Sequence, residues 1–172
     1  MQDITVRPVT LEDLSMFRDL RLESLKNEPY AFLATYEDEV QVAEEKWKER
    51  IENSIKGENG VTIVAEAEGK IVGLVGVSYG RHPKIKHTAH IWGTYVESEY
   101  RGRGIGKKLM EKIIELAKVN PNVKKIKIEV VPEQESALKL YEKVGFTPIG
   151  TAKNELYVDG KYFDSYMMEM YL

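Results

Sequence analysis

The chain contains no cysteine in its 172 residues. That excludes a disulfide framework, thiolate zinc sites, iron–sulfur clusters and a cysteine nucleophile. Histidine is scarce as well. His82, His87 and His90 are too few and too clustered for a histidine-built metal site, so no metal is expected. No apolar run approaches the ~20 residues that a helix needs to span a bilayer. The opening stretch Met1-Gln2-Asp3-Ile4-Thr5-Val6-Arg7-Pro8 lacks the basic then apolar pattern of a secretory leader. A strong charge of one sign is missing too. The net charge of −3, with a pI near 5.8, argues against bulk electrostatic binding to nucleic acid or to an anionic membrane. A cytoplasmic protein with neither nucleic acid nor membrane as partner is the expectation.

What is present fits a globular fold. The hydrophobic fraction is 42% and the charged fraction 31%. A chain of this length reads as a single domain over residues 1–172, able to bury ~70% of its unfolded surface. It has no repeats and no linker. Ile4 and Val6 begin a short strand. Thr10 and Asp13 form a helix-start signal ahead of Leu14, Phe17, Leu20 and Leu25. Residues 30–42 read as irregular, and a second helix as running from about Ala43 to Ile55. Val61–Ala67 and Ile71–Val77 alternate about a Glu68-Gly69-Lys70 turn, as a hairpin does. Further strands are expected at Thr88–Val96 and Lys125–Val131, with a helix between them carrying Leu109, Ile113, Ile114 and Ala117 on one face. That crossover favours a parallel pair. A helix from about Gln134 to Val144 and a hairpin turning at Asp159-Gly160 complete the order β-α-α-β-β-β-α-β-α-β-β. The fold class is α/β: a twisted, mixed, mostly antiparallel sheet of about seven strands flanked by four helices.

The sharpest local feature is Arg101-Gly102-Arg103-Gly104-Ile105-Gly106-Lys107-Lys108, between a strand and a helix. Glycines let backbone N–H groups converge on one point, and a helix N-terminus adds partial positive charge. Together they can cradle a phosphate or pyrophosphate. A plain strand-to-helix turn also needs small residues, so the turn alone leaves both readings open. Two familiar phosphate motifs fail. A P-loop would need glycine at 101 and Ser or Thr at 108, where Arg101 and Lys108 stand. A G-x-G-x-x-G fingerprint would need glycine at 107 or 109, where Lys107 and Leu109 stand.

The pattern that does fit is R-x-x-G-x-G over Arg101–Gly106, led in by Gly93-Thr94-Tyr95-Val96-Glu97-Ser98-Glu99-Tyr100. Further on, Ala137-Leu138-Lys139-Leu140-Tyr141-Glu142-Lys143-Val144-Gly145-Phe146 supplies A-x-x-L-Y-x-x-x-G-F. In this setting the sequence resembles the GNAT family of N-acetyltransferases, and the element order matches over almost the whole chain. The resemblance implies acetyl-CoA as donor and the primary amine of a small molecule or peptide as acceptor. It implies that the backbone from Arg103 through Gly104, Ile105 and Gly106 to Lys107, with Gly102 before it, holds the pyrophosphate. Arg101 would add field, and the strand edge at Tyr95 and Val96 would pair with pantetheine. Gln134, where many members have Asn, and Ser136 are further cofactor contacts on the same resemblance. Ser136 could equally cap its helix.

For the chemistry, the resemblance places the thiolate's proton donor at Tyr141 and an oxyanion donor at the Val96 N–H. The base is open between His90, which stands where some members carry glutamate, and Glu97, with Glu66 a weaker candidate. The acceptor side would be Pro29–Trp47 and Tyr157–Tyr166. Glu37, Asp38, Glu39, Glu44 and Glu45 could draw in a cationic amine, and Tyr30, Phe32, Tyr36, Trp92 and Tyr162 could line an aromatic pocket. A homodimer is compatible with all of this. Without cysteine, direct attack of the amine on the thioester in a ternary complex is the economical route. A non-catalytic acyl-CoA-binding module of the same fold is the alternative.

Overall fold

The computed structural model describes residues 4–172. Met1–Asp3, the start of the stretch read for a leader, lie outside the described residues. Seven strands form one sheet: β1 (Ile4–Pro8), β2 (Gly60–Ala67), β3 (Lys70–Tyr79), β4 (Thr88–Val96), β5 (Lys125–Val130), β6 (Thr147–Val158) and β7 (Lys161–Tyr171). Their spatial order is β1-β2-β3-β4-β5-β7-β6. Every neighbouring pair is antiparallel except β4–β5, which the helical crossover makes parallel.

The helices are α1 (Leu14–Asn27), α2 (Tyr36–Val40), α3 (Glu44–Lys56), α4 (Ile105–Val119) and α5 (Glu135–Lys143). The count corrects the expected four. The extra helix, α2, lies in the segment read as irregular, where Thr35 Oγ1 accepts from the Asp38 N–H at 3.1 Å. One N-cap and a single turn leave no periodic apolar stripe to read.

The helices cover both faces. Leu109, Met110, Ile113 and Ala117 of α4 are fully buried with Val75, Ile91, Ile126 and Tyr141 in one core cluster. Phe17, Leu20, Trp47 and Ile51 of α1 and α3 close a second cluster over Val64, Leu74 and Tyr95. Each fully buried large aliphatic side chain contributes about 1.5–3 kcal/mol relative to exposure. Near the sheet edge, Arg7 donates to Asp13 Oδ2 at 2.7 Å and to Glu66 Oε2 at 2.7 Å, joining β1, β2 and the start of α1. Asp13 is 2% exposed. Glu66 is therefore a structural partner of Arg7.

Two irregularities in β4 set the geometry of its free edge. Leu74 pairs with Tyr95 but Gly76 pairs with Trp92, so β4 carries one extra residue against β3. The bulge falls at Gly93, whose φ of 71° is the left-handed region where glycine avoids a Cβ penalty. The β4–β5 ladder, in turn, pairs only Thr88–Lys125, Ala89–Ile126 and His90–Lys127. Beyond His90 the two strands part, and β5 continues against β7 alone.

Candidate active site

The parting of β4 and β5 opens a V between parallel strands. Two clefts meet in it. The first, about 610 Å³, is lined by Tyr95, Val96, Arg101, the glycine turn and the face of α5. The second, about 360 Å³, is lined by His90–Thr94 of β4, Ile128–Val131 around the end of β5, Tyr141, and Tyr30–Ala34. Thr94, Gln134, Ala137, Tyr30 and Phe32 border both.

The larger cleft has the makings of a phosphate cradle. Gly102 and Gly104 have φ of 76° and 78°, and a Cβ on either would meet nothing within 4 Å. Gly104 is the left-handed N-cap of α4, so the first N–H groups of that helix begin at the cleft. Ile105 turns its side chain into the core at 1% exposure, leaving its backbone to the cleft. Arg101, Lys107, Lys139 and Lys143 line the cleft against two carboxylates, Glu28 and Glu133. Lys139 and Lys143, on α5, are cations that sequence reasoning did not single out. The signal was their i, i+4 spacing beside Tyr141.

Arg101 is positioned differently from a free phosphate ligand. Its Nε donates to the Val96 carbonyl at 2.9 Å, and its Nη2 lies 3.1 Å from Glu28 Oε1. Arg103 turns back, donating to the Glu99 carbonyl at 3.0 Å and lying over the Tyr100 ring, and its side chain lies outside the cleft lining.

The ladder itself decides which backbone groups of β4 are open. The Glu97 N–H donates to the Val72 carbonyl at 2.9 Å. Antiparallel pairs alternate between hydrogen-bonded and non-bonded, so Val96–Gly73 is non-bonded and Tyr95–Leu74 is bonded. The Val96 N–H and C=O therefore point away from β3, into the V. Tyr95 turns its backbone to β3. Its side chain is buried, and its hydroxyl donates to Glu23 at 2.9 Å and accepts from Asn27 at 3.2 Å. The open edge thus runs through Val96 without the Tyr95 backbone.

Tyr141 is 5% exposed on α5, with its ring edge-on to Phe146 at 6.3 Å. Its hydroxyl interacts with Thr94, which borders both clefts. Burial raises its pKa, and the Thr94 interaction opposes this only in part, so the phenol stays protonated at neutral pH. His90 sits at the apex of the V and lines the smaller cleft. Burial lowers its pKa, with Glu129 pulling upward and Lys127 downward, so its imidazole is neutral at pH 7. Gln134 borders both clefts as the residue before α5, and Ser136 lines the larger one. Since α5 begins at Glu135, Ser136 lies inside the helix and not at its cap.

Other candidates are not brought to the site. Glu97 lies past the end of β4 and lines neither cleft. None of the five acidic residues considered for amine attraction lines either cleft; Glu39 lines a separate cavity between α1 and α3, where Arg50 binds it. The carboxylates that do face the smaller cleft are Glu129 and Glu155. Glu155 arrives through a second bulge, since Ala152 pairs with Ser165 and Leu156 with Phe163. Tyr30, Phe32 and Trp92 line the smaller cleft as expected, whereas Tyr36 and Tyr162 do not.

Comparison with known proteins shows the family and the fold. The model of the acetyltransferase (GNAT) family matches residues 15–146. The L-amino acid N-acetyltransferase AaaT of Escherichia coli is 28% identical over 173 residues, covering 98% of each chain. Among solved structures, an acetyltransferase of the GNAT family from Streptococcus pneumoniae superposes with a TM-score of 0.89 at 22% identity, over 99% of this chain and 100% of that one. The protein yncA from Salmonella typhimurium, solved with its cofactor acetyl-CoA, gives 0.86 at 16% identity, over 99% and 94%.

Proposed function

The chain belongs to the acetyltransferase (GNAT) family, and on that premise we propose that the amine of a small molecule or peptide attacks acetyl-CoA directly in the V between β4 and β5. Acetyl-CoA-dependent N-acetyl transfer is the activity of the chain. The observation that carries the site reading is the open Val96 edge between the glycine cradle and a second cleft that contains His90 and Tyr141.

On this reading each residue has its part. The α4 N-terminus and the amides of the 102–107 turn bind the pyrophosphate of acetyl-CoA, and Lys107, Lys139 and Lys143 add positive field. Arg101, by holding the Val96 carbonyl, sets the angle of the strand edge and leaves the Val96 N–H for the pantetheine arm or the developing oxyanion. Bound acetyl-CoA supplies an acyl group activated as a thioester. An amine with pKa near ~10 is mostly protonated at pH 7, so it must lose a proton to attack. Neutral His90, directly or through a water, accepts it. Tyr141, held protonated by burial, gives a proton to the departing sulfur.

A module that only holds acyl-CoA would use the larger cleft alone. The second cleft, joined to it at Thr94, Gln134 and Ala137, favours the enzyme. The test is thiol release from acetyl-CoA across polyamines, amino acids, aminoglycosides and peptides, with the product identified by mass. An N-acetyl product formed in step with free CoA supports the reading. Acetyl-CoA binding with no release for any amine overturns it.

A further inference from the structure

Arg21 projects from α1 into the wall between the acceptor cleft and the cavity of about 480 Å³ under α1 and α3, and it lines both. Its guanidinium carbon stands 4.5 Å over the Phe32 ring. Its Nη1 lies 3.9 Å from where a Cβ on Gly93 would stand, at the β4 bulge. Its polar contact is a long one, 3.5 Å to Ser24 Oγ. Burial lowers its pKa to about 10, which leaves it cationic at pH 7.

Among the described residues Arg21 has no ion-pair partner. Glu39 favours its charge from a distance, but both oxygens of that carboxylate are taken by Arg50, whose own charge acts against Arg21. Arg21 is partly buried, and a guanidinium withdrawn in part from water without a carboxylate partner loses hydration that no ion pair repays. An unpaired guanidinium facing a ligand cleft is therefore suited to a counter-ion that arrives with the ligand. The planar fork matches a carboxylate. Across the same cleft stand Glu129 and Glu155, of the sign that attracts an ammonium.

We propose that the acceptor carries a carboxylate beside its amine, in the manner of an amino acid, and that Arg21 binds that carboxylate. The inference rests on the acetyl-transfer reading of the same cleft. The amino group lies toward His90 and Glu129, and the rest of the acceptor meets Phe32, Leu33, Trp92 and Leu156. A polyamine, cationic along its length, sets positive charge against Arg21 and is disfavoured.

The test compares kcat/KM for the common L-amino acids, their carboxamides and spermidine. A charge-assisted pair lost in the carboxamide corresponds to a preference for the acid of about 10–100-fold. In Arg21→Gln that preference collapses toward unity, Arg21→Lys restores part of it, and KM for acetyl-CoA stays put. Carboxamides or spermidine used as well as the acids, or a preference that survives Arg21→Gln, overturns the proposal while acetyl transfer stands. If Arg21→Gln does not fold, the wild-type comparison of acid with carboxamide decides alone. If no amine is acetylated, the transfer reading fails, and calorimetry with N-acetyl-L-leucine and N-acetyl-L-leucinamide in the presence of CoA still decides on Arg21. Selective binding of the acid supports the proposal, and equal or absent binding overturns it.

Discussion

Replacing Tyr141 with phenylalanine removes one oxygen from a side chain that is 5% exposed. The ring keeps its place. Its edge contact with Phe146 at 6.3 Å and its packing in the α4 core do not involve the hydroxyl. Stability is expected to change by no more than about 1 kcal/mol, the net worth of one side-chain hydrogen bond. What is lost is a protonated phenol beside Thr94, where the two clefts join. A positioned general acid contributes about 10²–10⁴-fold to rate, or about 2.7–5.4 kcal/mol of barrier. The Tyr141→Phe variant should therefore lose at least 100-fold in kcat at saturating acetyl-CoA and acceptor, while KM for acetyl-CoA moves less than about threefold. The assay is continuous thiol detection, with a rapid-quench burst experiment to show that chemistry limits the wild-type rate. Because burial holds the phenol above its ordinary pKa near 10, wild-type kcat should not fall through loss of this proton below that pH. A kcat within threefold of wild type, with chemistry rate-limiting, would refute the acid role.

Three further perturbations probe separate parts of the account. Gly104→Glu should weaken acetyl-CoA binding more than 100-fold by calorimetry, whereas Gly104→Ala should cost about 1–2 kcal/mol of stability from its φ of 78° without a steric clash. The kcat profile should rise with pH through a value below 6.5, because burial lowers the His90 pKa and the neutral imidazole is the working form; in His90→Gln that acid limb should vanish and kcat fall about 10²–10⁴-fold. Arg7 holds Asp13 below its ordinary pKa, so the pair's stabilisation is complete above the unfolded value near ~4 and is lost as pH falls through the folded one. Arg7→Ala should cost about 3 kcal/mol in urea denaturation at pH 7, since it strands a carboxylate that is 2% exposed, and much less at pH 2.

The parts legible in the sequence are those written by local chemistry. The apolar stripe of Leu109, Ile113, Ile114 and Ala117 was readable because a helix repeats on itself, and all four are buried. The same holds for β4, bounded at Thr88 and Val96 as expected, and for the glycine turn ahead of α4. The parts not legible depend on partners. The Gly93 bulge exists only against the register of β3, and so does the alternation that turns the Val96 backbone outward and the Tyr95 backbone toward β3. Glu129 and Glu155 look like ordinary solvent-facing strand residues until β5 parts from β4 and β6 bulges. Arg21 sits on a helix between two leucines, and only the assembly of α1 with Phe32 and Gly93 sets it over the acceptor cleft.

The central claim is that acetyl-CoA lies along the open Val96 edge with its pyrophosphate over the 102–107 turn. Amide hydrogen exchange, followed by mass spectrometry with and without acetyl-CoA, tests it most directly. Protection should concentrate in peptides covering 94–96, 102–107 and 134–136. Protection absent from those segments, or centred on the α1–α3 cavity, would contradict the account.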